Sequence, residues 1–254
     1  MAASLGPAWR SAVLTAIKKN DKHMPYAKYF QLATVKPNGR PANRTVVYRG
    51  FLGTCARFRH RTRAVARVGS SNPRANRERN TPLPPFRSRA HLTNPPPRPL
   101  GESEDITIVT DLRSNKVDEL RGAPFGEFAW YFPESREQFR VAGELEVIAK
   151  DSASMQSERQ AAWDRMSPAG RAQFAWPTPG FPQLEEGAVR PGTNKQTFDV
   201  PEDVVADGSD ANDNFCLVVM RVEEVDHLSL RSNRRFTHVK VKETGEWVTT
   251  EVNP

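Results

Sequence analysis

The chain has 254 residues and a formal net charge of +7, with 37 Lys and Arg against 30 Asp and Glu and only two cysteines. This length suits one domain of ordinary or slightly large size with a sizeable core. Because no apolar run reaches the roughly 18 to 20 residues of a membrane span, and no signal-peptide pattern or CxxC pair is present, we expect a soluble intracellular protein, cytoplasmic or organellar, in a reducing compartment.

The first fifty residues contain one predicted helix and one predicted β-hairpin. Apolar residues at helical spacing predict an amphipathic helix over about residues 9–20. Alternating apolar and β-branched residues then predict strands over 30–35 and 44–51. The Asn-Gly pair within 37–40 is a strong signal for the hairpin turn that joins them.

An Arg-rich segment follows the hairpin. Residues 52–98 hold 11 Arg, no Lys and one acidic residue, Glu78, so the segment carries +10 and the rest of the chain 7 − 10 = −3. Its seven prolines and few aromatic residues cannot bury enough surface to offset the entropy of ordering. We predict a disordered insert over 52–104, from an intron or a lineage-specific insertion, within one domain formed by 1–51 and 105–254. The less favoured interpretation is an arm that binds nucleic acid phosphates.

Beyond the insert, the pattern is again mainly that of strands. The predicted strands are 106–110, 126–132, 139–149, 215–225, 235–242 and 246–252. Short helices are predicted over 116–121, 154–166 and 168–174, and a long loop over 176–213. Many short strands with hairpin turns and a few helices indicate a mainly β, α+β protein built on a small antiparallel barrel, closed or partly open.

Polar residues that suit a phosphate lie at the ends of two predicted strands. Arg44 and Arg49 stand at the ends of the segment Arg-Thr-Val-Val-Tyr-Arg and can donate two parallel hydrogen bonds to phosphate oxygens. Ser114 can cap a helix that begins near Asn115, so that backbone N–H groups and Lys116 face an anion together. Any one of these residues alone is more often just a solvated side chain, so only the combination indicates a phosphate site.

The same order of segments continues through Glu137–Gly143 and Leu228–Phe236. In this order the chain resembles the pyridoxamine 5'-phosphate oxidase-like FMN-binding split barrel family, and within it the branch often called Alr4036-type. The resemblance covers residues 9–51 and 105–252. It implies an antiparallel FMN-binding split β-barrel with the flavin at a two-fold interface, and therefore a homodimer.

The resemblance also implies which residues bind FMN. Arg44 and Lys116 would contact the phosphate, while Gln138 and Arg235 would lie at the flavin. The complete implied set is Arg44, Thr45, Val46, Val47, Arg49, Thr110, Ser114, Asn115, Lys116, Gln138 and Arg235.

The helical part of the substrate site departs from the family pattern. Authentic oxidases hold the substrate phosphate through Tyr, Arg and Ser at four-residue spacing. The corresponding positions here are Trp163, Ser167 and Arg171. We therefore expect the substrate to be bound differently from the phosphate binding of the authentic oxidases.

The C-terminal part of the substrate site is altered as well. The family's Arg-x-His signature aligns with Arg231-Ser-Asn233, and asparagine cannot titrate near neutrality as histidine does. Arg49 stands where the oxidases use Lys, which keeps the charge and changes its geometry. By resemblance, Arg49, Arg231 and Asn233 remain the candidate substrate-binding residues.

The remaining chemistry must come from a cofactor. No histidine or cysteine spacing indicates a metal site, and the sequence has no phosphate-binding P-loop, nucleophile elbow or Rossmann glycine pattern. We expect an FMN-dependent oxidoreductase that accepts a hydride at flavin N5 from a small molecule of unknown identity, with no catalytic residue assigned. The alternatives are an authentic pyridoxamine/pyridoxine 5'-phosphate oxidase, a non-catalytic flavin-binding protein, and nucleic-acid binding through 52–98.

Overall fold

A computed structural model describes residues 6–53, 103–182 and 210–254. Of the disorder predicted over 52–104, residues 54–102 lie outside the described residues, as does most of the loop predicted over 176–213. Both ends of the predicted disordered range are ordered, since the Leu52 N–H donates to the Asp105 carbonyl at 2.8 Å and Glu104 pairs with Lys240 at 2.8 Å. The helices are α1 Ala8–Asn20, α2 Asn115–Gly122, α3 Gln156–Asp164, α4 Pro168–Ala172 and α5 Asp210–Asn214. The strands are β1 Tyr29–Val35, β2 Pro41–Val47, β3 Gly50–Phe51, β4 Ile106–Asp111, β5 Phe125–Phe132, β6 Glu137–Ile148, β7 Phe215–Ser229, β8 Arg234–Lys240 and β9 Trp247–Val252.

The strands form one antiparallel sheet in the order β2-β1-β5-β6-β7-β4-β3, with β8 paired to β7 and β9 paired to β8. Its end strands β2 and β3 are consecutive in sequence, with only Tyr48 and Arg49 between them. The Tyr48 N–H donates to the Lys28 carbonyl at 2.8 Å, whereas the Arg49 N–H donates to the Thr107 carbonyl on β4 at 2.9 Å. The sheet therefore curls until its edges meet, which confirms the predicted mainly β split barrel.

Strand β7 is shared by two neighbours along the same edge. Its first part, from Phe215 to Met220, pairs with β4, and its last part, from Glu224 to Ser229, pairs with β8. Its other edge pairs with β6 along nearly the whole length, with a bulge between Ala142 and Gly143. A barrel half and a projecting β8–β9 half thus meet on one strand.

Two predictions of local structure were wrong. The single strand expected over 44–51 is divided into β2 and β3, because the backbone changes its hydrogen-bonded partner at Tyr48 and Arg49. The loop expected over 176–213 ends in the short helix α5. Its Asn- and Asp-rich sequence favours turns, but the Arg159 side chain on α3 donates to the Asn212 carbonyl and fixes the segment.

The core has two parts. The larger part fills the barrel with fully buried aromatic residues such as Phe30, Trp130 and Phe139, packed against α1. The smaller part lies outside the barrel wall, where Trp163 and Phe174 pack on the first residues of β7. No helix in the part of the chain that the structure describes is long and apolar enough to cross a membrane.

Candidate functional site

Helix α2 follows β4 after a three-residue turn and places Lys116 against that turn. The Lys116 Nζ donates to the Thr110 hydroxyl at 2.8 Å and to the Ser114 hydroxyl at 3.2 Å. Burial lowers the pKa of Lys116, and the nearby Arg44 lowers it further, while Asp111 and Glu119 oppose the shift. We call Thr110, Ser114 and Lys116 the Lys116 cluster. Among the described residues, no carboxylate lies within ion-pair distance of its ammonium group.

The helix begins at Asn115 as predicted, but Ser114 does not cap it. Although Ser114 occupies the cap position, its side chain accepts no hydrogen bond from the first helical turn. Its hydroxyl instead donates to the Asp111 carbonyl at 2.7 Å and lies 3.2 Å from the Thr110 hydroxyl. The expectation of a side-chain cap was therefore wrong, because the hydroxyl turns towards the strand. Of the backbone N–H groups at this end, that of Val117 donates to the Ser114 carbonyl at 2.9 Å, whereas those of Asn115 and Lys116 have no acceptor within the helix.

Arg44 lies on β2 and its side chain reaches Glu119 on α2. Its Nη2 lies 2.5 Å from Glu119 Oε2, and its Nη1 donates to the Thr34 hydroxyl and, at 3.4 Å, to the Leu32 carbonyl. Both groups of predicted phosphate-binding residues, Arg44 from β2 and the Lys116 cluster from β4 and α2, are thus brought together. The guanidinium is already bound to a carboxylate, which the sequence did not predict.

The other predicted residues of β2 differ in the direction of their side chains. Val46 is buried in the barrel core, so only its backbone can contact a ligand. Thr45 and Val47 point to the outer face of the sheet, because successive residues of a strand alternate. Asn115 is exposed at the start of α2, and a Cβ added at Gly180 would lie 3.6 Å from its amide nitrogen. The segment after the 3₁₀ helix Gln173–Ala175 therefore passes beside this end of α2.

A cavity of about 300 Å³ opens beside Arg49. It is lined by the cations Lys28, Arg49 and Arg165 and by the apolar side chains of Val109, Ala162 and Met166. Among the described residues, the Arg49 guanidinium has no ionic or hydrogen-bonded partner, and the Arg165 Nε donates only to the carbonyl of Ala161 on its own helix. Partial burial lowers the pKa of Arg49, Tyr29 raises it, and Arg165 lowers it.

Gln138 and Arg235 lie in one row across three strands, since Gln138 pairs with Leu228 and Leu228 pairs with Arg235. Arg235 contacts Asp226 at 2.6 Å, and so does Arg140. These two arginines hold the pKa of the Asp226 carboxyl below its usual range, against the effect of its burial. The outer face of the sheet therefore carries a second polar group around Gln138 and Arg235.

This second group is far from the Lys116 cluster within one chain. Gln138 lies ten residues from Ile148 along β6, which corresponds to roughly 30 Å of strand. Ile148 pairs with Leu217, the neighbour of the residue that pairs with Thr110. The structure thus brings Arg44, Thr110, Ser114 and Lys116 together but separates them from Gln138 and Arg235.

The candidate substrate residues of the β7–β8 turn also lie at this far end. The Arg231 guanidinium donates to the Glu134 carbonyl at 3.1 Å. Asn233 is exposed and has a φ of 51°, a left-handed conformation that asparagine adopts more readily than most residues. The asparagine thus suits the turn itself.

The helical substrate positions perform structural tasks in this chain. Trp163 is fully buried against Phe174 and Phe215. Ser167 caps α4 by accepting the Gly170 N–H at 3.2 Å, and the Arg171 Nε donates to the Trp163 carbonyl at 3.1 Å. None of the three predicted positions lines the cavity beside Arg49.

Sequence reasoning missed three residues at the site. Glu119 was not recognised as the partner of Arg44, and Arg165 was not recognised beside Arg49. Arg113 was also missed; it bonds to Asp111 and donates to the carbonyls of Phe174 and Trp176, which anchors the segment beside α2. The only local signal for any of these three is that Glu119 follows Lys116 by three residues, which places both side chains on one face of a helix.

Comparison with known proteins gives the family. The family described as "Pyridoxamine 5'-phosphate oxidase, FMN-binding domain" matches residues 6–149. The chain is 32% identical over 253 residues to the pyridoxine/pyridoxamine 5'-phosphate oxidase 2 of Arabidopsis thaliana, covering 97% of this chain and 96% of that protein.

Solved structures agree with this match. A pyridoxamine 5'-phosphate oxidase-related, FMN-binding protein from Nostoc punctiforme is similar with a TM-score of 0.65 and 32% identity, covering 98% of both chains. PhzG from Burkholderia lata has a TM-score of 0.54 at 13% identity, covering 99% of this chain and 94% of PhzG, which is a likeness of fold alone. The chain therefore belongs to the pyridoxamine 5'-phosphate oxidase family, and the domain that it carries is the FMN-binding domain of that family.

Proposed function

We propose that the protein is an FMN-dependent oxidoreductase acting on a small molecule, and that Arg44 and the Lys116 cluster hold the FMN phosphate. The observation that carries the proposal is the state of Lys116, a partly buried ammonium group with two hydroxyl partners and, within the described ranges, no carboxylate. A phosphate supplies the missing negative charge and accepts several hydrogen bonds at once. The N–H groups at the start of α2 add further donors.

Bound FMN supplies a ring that can accept a hydride, which no side chain of the protein can do. The residues of the chain bind and orient it. Thr110, Ser114 and Asn115 would fix the phosphate beside Lys116, and the β2 backbone from Thr45 to Val47 would line the flavin. Placement in the Alr4036-type branch stays a prediction.

A homodimer is part of this proposal, because one chain does not complete the site. Gln138 and Arg235, implied at the flavin, lie roughly 30 Å of strand away from the level of Thr110. A second copy related by a two-fold axis can bring its own Gln138 and Arg235 to the phosphate end of the first. The outer face that carries Gln138 also exposes 49% of both Tyr29 and Tyr131, which suits an interface.

Mixing variants tests the shared site. A Lys116→Met protein and a Gln138→Ala protein would each bind FMN weakly alone. A mixed dimer would combine both defects in one site and leave the other site intact. We expect flavin occupancy to rise towards one site in two among mixed dimers when the two proteins are unfolded and refolded together. If occupancy stays at the level of the separate variants although mixed dimers form, the two groups do not meet across an interface.

We further propose that the substrate carries an anionic group held by Arg49 and Arg165. The two guanidinium groups border the same cavity, and no carboxylate contributes to the pKa shift of Arg49. Like charges that converge without a counter-ion favour binding of an anion. The apolar side of the cavity, formed by Val109 and Met166, would contact the body of the molecule.

The second candidate function is pyridoxine/pyridoxamine 5'-phosphate oxidation, favoured by the name of the Arabidopsis relative. Three positions argue against it. The side chains of Trp163, Ser167 and Arg171 pack or form hydrogen bonds within the helical segment, where authentic oxidases hold the substrate phosphate. A flavin-binding protein without catalysis is the third. Substrate-dependent bleaching of the flavin band under anaerobic conditions separates an enzyme from a binding protein.

The absorption spectrum of the purified protein tests the cofactor, and light scattering on a sizing column tests the dimer. A flavin band at near-unit occupancy in a dimer is the expected result, whereas a colourless dimer that does not take up added FMN would contradict the proposal.

A cytoplasmic location is also proposed, since the free Cys216 thiol suits a reducing compartment. Cell fractionation checks that location.

A further inference from the structure

Glu119 is a buried carboxylate beside the proposed phosphate site. It lies on α2 and is 5% exposed. Its Oε2 is 2.5 Å from the Arg44 Nη2 and accepts a hydrogen bond of 2.6 Å from the Thr34 hydroxyl. Arg44 also donates to Thr34. A closed set of three side chains therefore fixes the direction of the guanidinium before any ligand arrives.

The charges around this set explain why a carboxylate stands there. Arg44 and Lys116 are close enough for one to lower the pKa of the other, and Glu119 acts on Lys116 in the opposite direction. Asp111, the other nearby carboxylate, already forms an ion pair with Arg113 at 2.7 Å. Glu119 is thus the carboxylate that balances Arg44, while a second positive charge on Lys116 is left for a ligand.

We propose that Glu119 is the internal counter-anion of the phosphate site, which holds Arg44 in place in the ligand-free protein and weakens phosphate binding by repulsion. This inference rests on the proposed binding of the FMN phosphate by Arg44 and Lys116. In the ligand-free protein, the Glu119 carboxylate permits Arg44 and Lys116 to lie close together. It then competes with the phosphate for Arg44. Stability without the cofactor is gained at the expense of affinity for it.

A charge-neutral replacement separates these two effects. Glu119→Gln keeps an oxygen that can accept hydrogen bonds from Arg44 and Thr34 but removes the negative charge. Because like charges near each other disfavour binding, the variant should bind FMN about tenfold more tightly. Riboflavin, which lacks the phosphate, should bind with unchanged affinity. The ligand-free variant should unfold at a lower temperature, since Arg44 and Lys116 then lack a balancing charge.

The experiment is a titration of the ligand-free full-length dimer with FMN and with riboflavin, read from the quenching of flavin fluorescence. The quantity of interest is the ratio of the two affinities. Glu119→Asp, which keeps the charge and changes the geometry, should leave the ratio unchanged even if it lowers the melting temperature. Glu251→Gln, which removes an exposed carboxylate paired with Arg234 at 2.7 Å on β9, controls for the change in net charge.

A rise in the ratio for Glu119→Gln alone supports the proposal. An unchanged or lower ratio, or an equal loss of both affinities, overturns it and shows that Glu119 is only structural. If the variant is unstable, purification in saturating FMN should rescue it, because a ligand of the folded state stabilises that state; failure of the rescue also counts against the proposal. No FMN binding by the unaltered protein would refute the proposed function itself, whereas binding with an unchanged ratio refutes only this inference.

Discussion

Replacement of Lys116 by methionine separates ligand binding from folding at the proposed phosphate site. Within the described ranges the ammonium group has two hydrogen-bond partners, the hydroxyls of Thr110 and Ser114 at 2.8 and 3.2 Å, so its removal leaves no carboxylate there without a partner. Burial and the neighbouring Arg44 lower the pKa of Lys116, which means that the fold disfavours the charged form. We therefore expect Lys116→Met to be at least as stable as the unaltered protein when no FMN is present.

The same substitution should weaken FMN binding. It removes one charge-assisted hydrogen bond to a phosphate in a partly desolvated site, which contributes about 1.5 to 3 kcal/mol, or roughly a tenfold to hundredfold change in affinity. Titration of ligand-free protein with FMN and riboflavin measures this, together with the melting temperature of each protein. Lys242→Met is the matched control, because that side chain is 82% exposed and lies 3.6 Å from its partner Glu223.

Two results would refute the reasoning about Lys116. One is an FMN affinity within about twofold of the unaltered protein in a folded variant, which would mean that the ammonium does not contact the phosphate. The other is an equal loss of riboflavin and FMN binding, which would indicate general damage to the pocket.

Three further outcomes are expected. Burial lowers the pKa of His238 to about 4 from 6.5, so between these pH values the unfolded chain binds a proton that the folded protein does not. The free energy of unfolding should therefore fall by up to about 3 kcal/mol as the pH drops from 6.5 towards 4. Urea midpoints measured against pH should lose this decrease in His238→Gln but keep it in His23→Gln. A short turn in place of residues 54–102 should preserve FMN binding and raise the melting temperature slightly, because the Leu52 N–H already donates to the Asp105 carbonyl at 2.8 Å; lost binding would place the segment in the site. Chromatography should detect little or no pyridoxal 5'-phosphate from pyridoxine or pyridoxamine 5'-phosphate with FMN bound, and rapid production would show that the altered grip still functions.

Most secondary structure could be predicted from the sequence because its signals are local. The Asn-Gly turn lies where expected, with Gly39 at a φ of 76°, a conformation that glycine adopts without steric cost. Alternation over Ile106–Asp111 gives a strand of the expected length and position. The pattern around that strand also indicated that Ser114 and Lys116 would face one anion, while the place of Thr110 beside them was implied only by the family resemblance.

The parts that could not be predicted depend on contacts between distant residues. Thr34 and Glu119 are 85 positions apart, so nothing near either residue indicates that they share a hydrogen bond. Arg165 is exposed just after the end of α3, and only the packing of α3 on β7 places it at the cavity beside Arg49. The end of the strand at Val47 is likewise set by the Thr107 carbonyl, which the chain supplies only after the Arg-rich segment.

The arrangement of β7 explains why the residues proposed for the phosphate and those proposed for the flavin lie at separate ends of the sheet. The strand has 15 residues, roughly 50 Å when extended, and one of its edges pairs first with β4 and then with β8. Thr110 and the Lys116 cluster depend on the β4 half, whereas Arg235 belongs to the β8 half. A flavin nucleotide is shorter than the stretch of strand between the two halves, so we infer that both halves do not reach one ligand within a single chain. The proposed two-fold partner would meet the requirement, because the far half of each chain would then lie against the near half of the other and two equal sites would form.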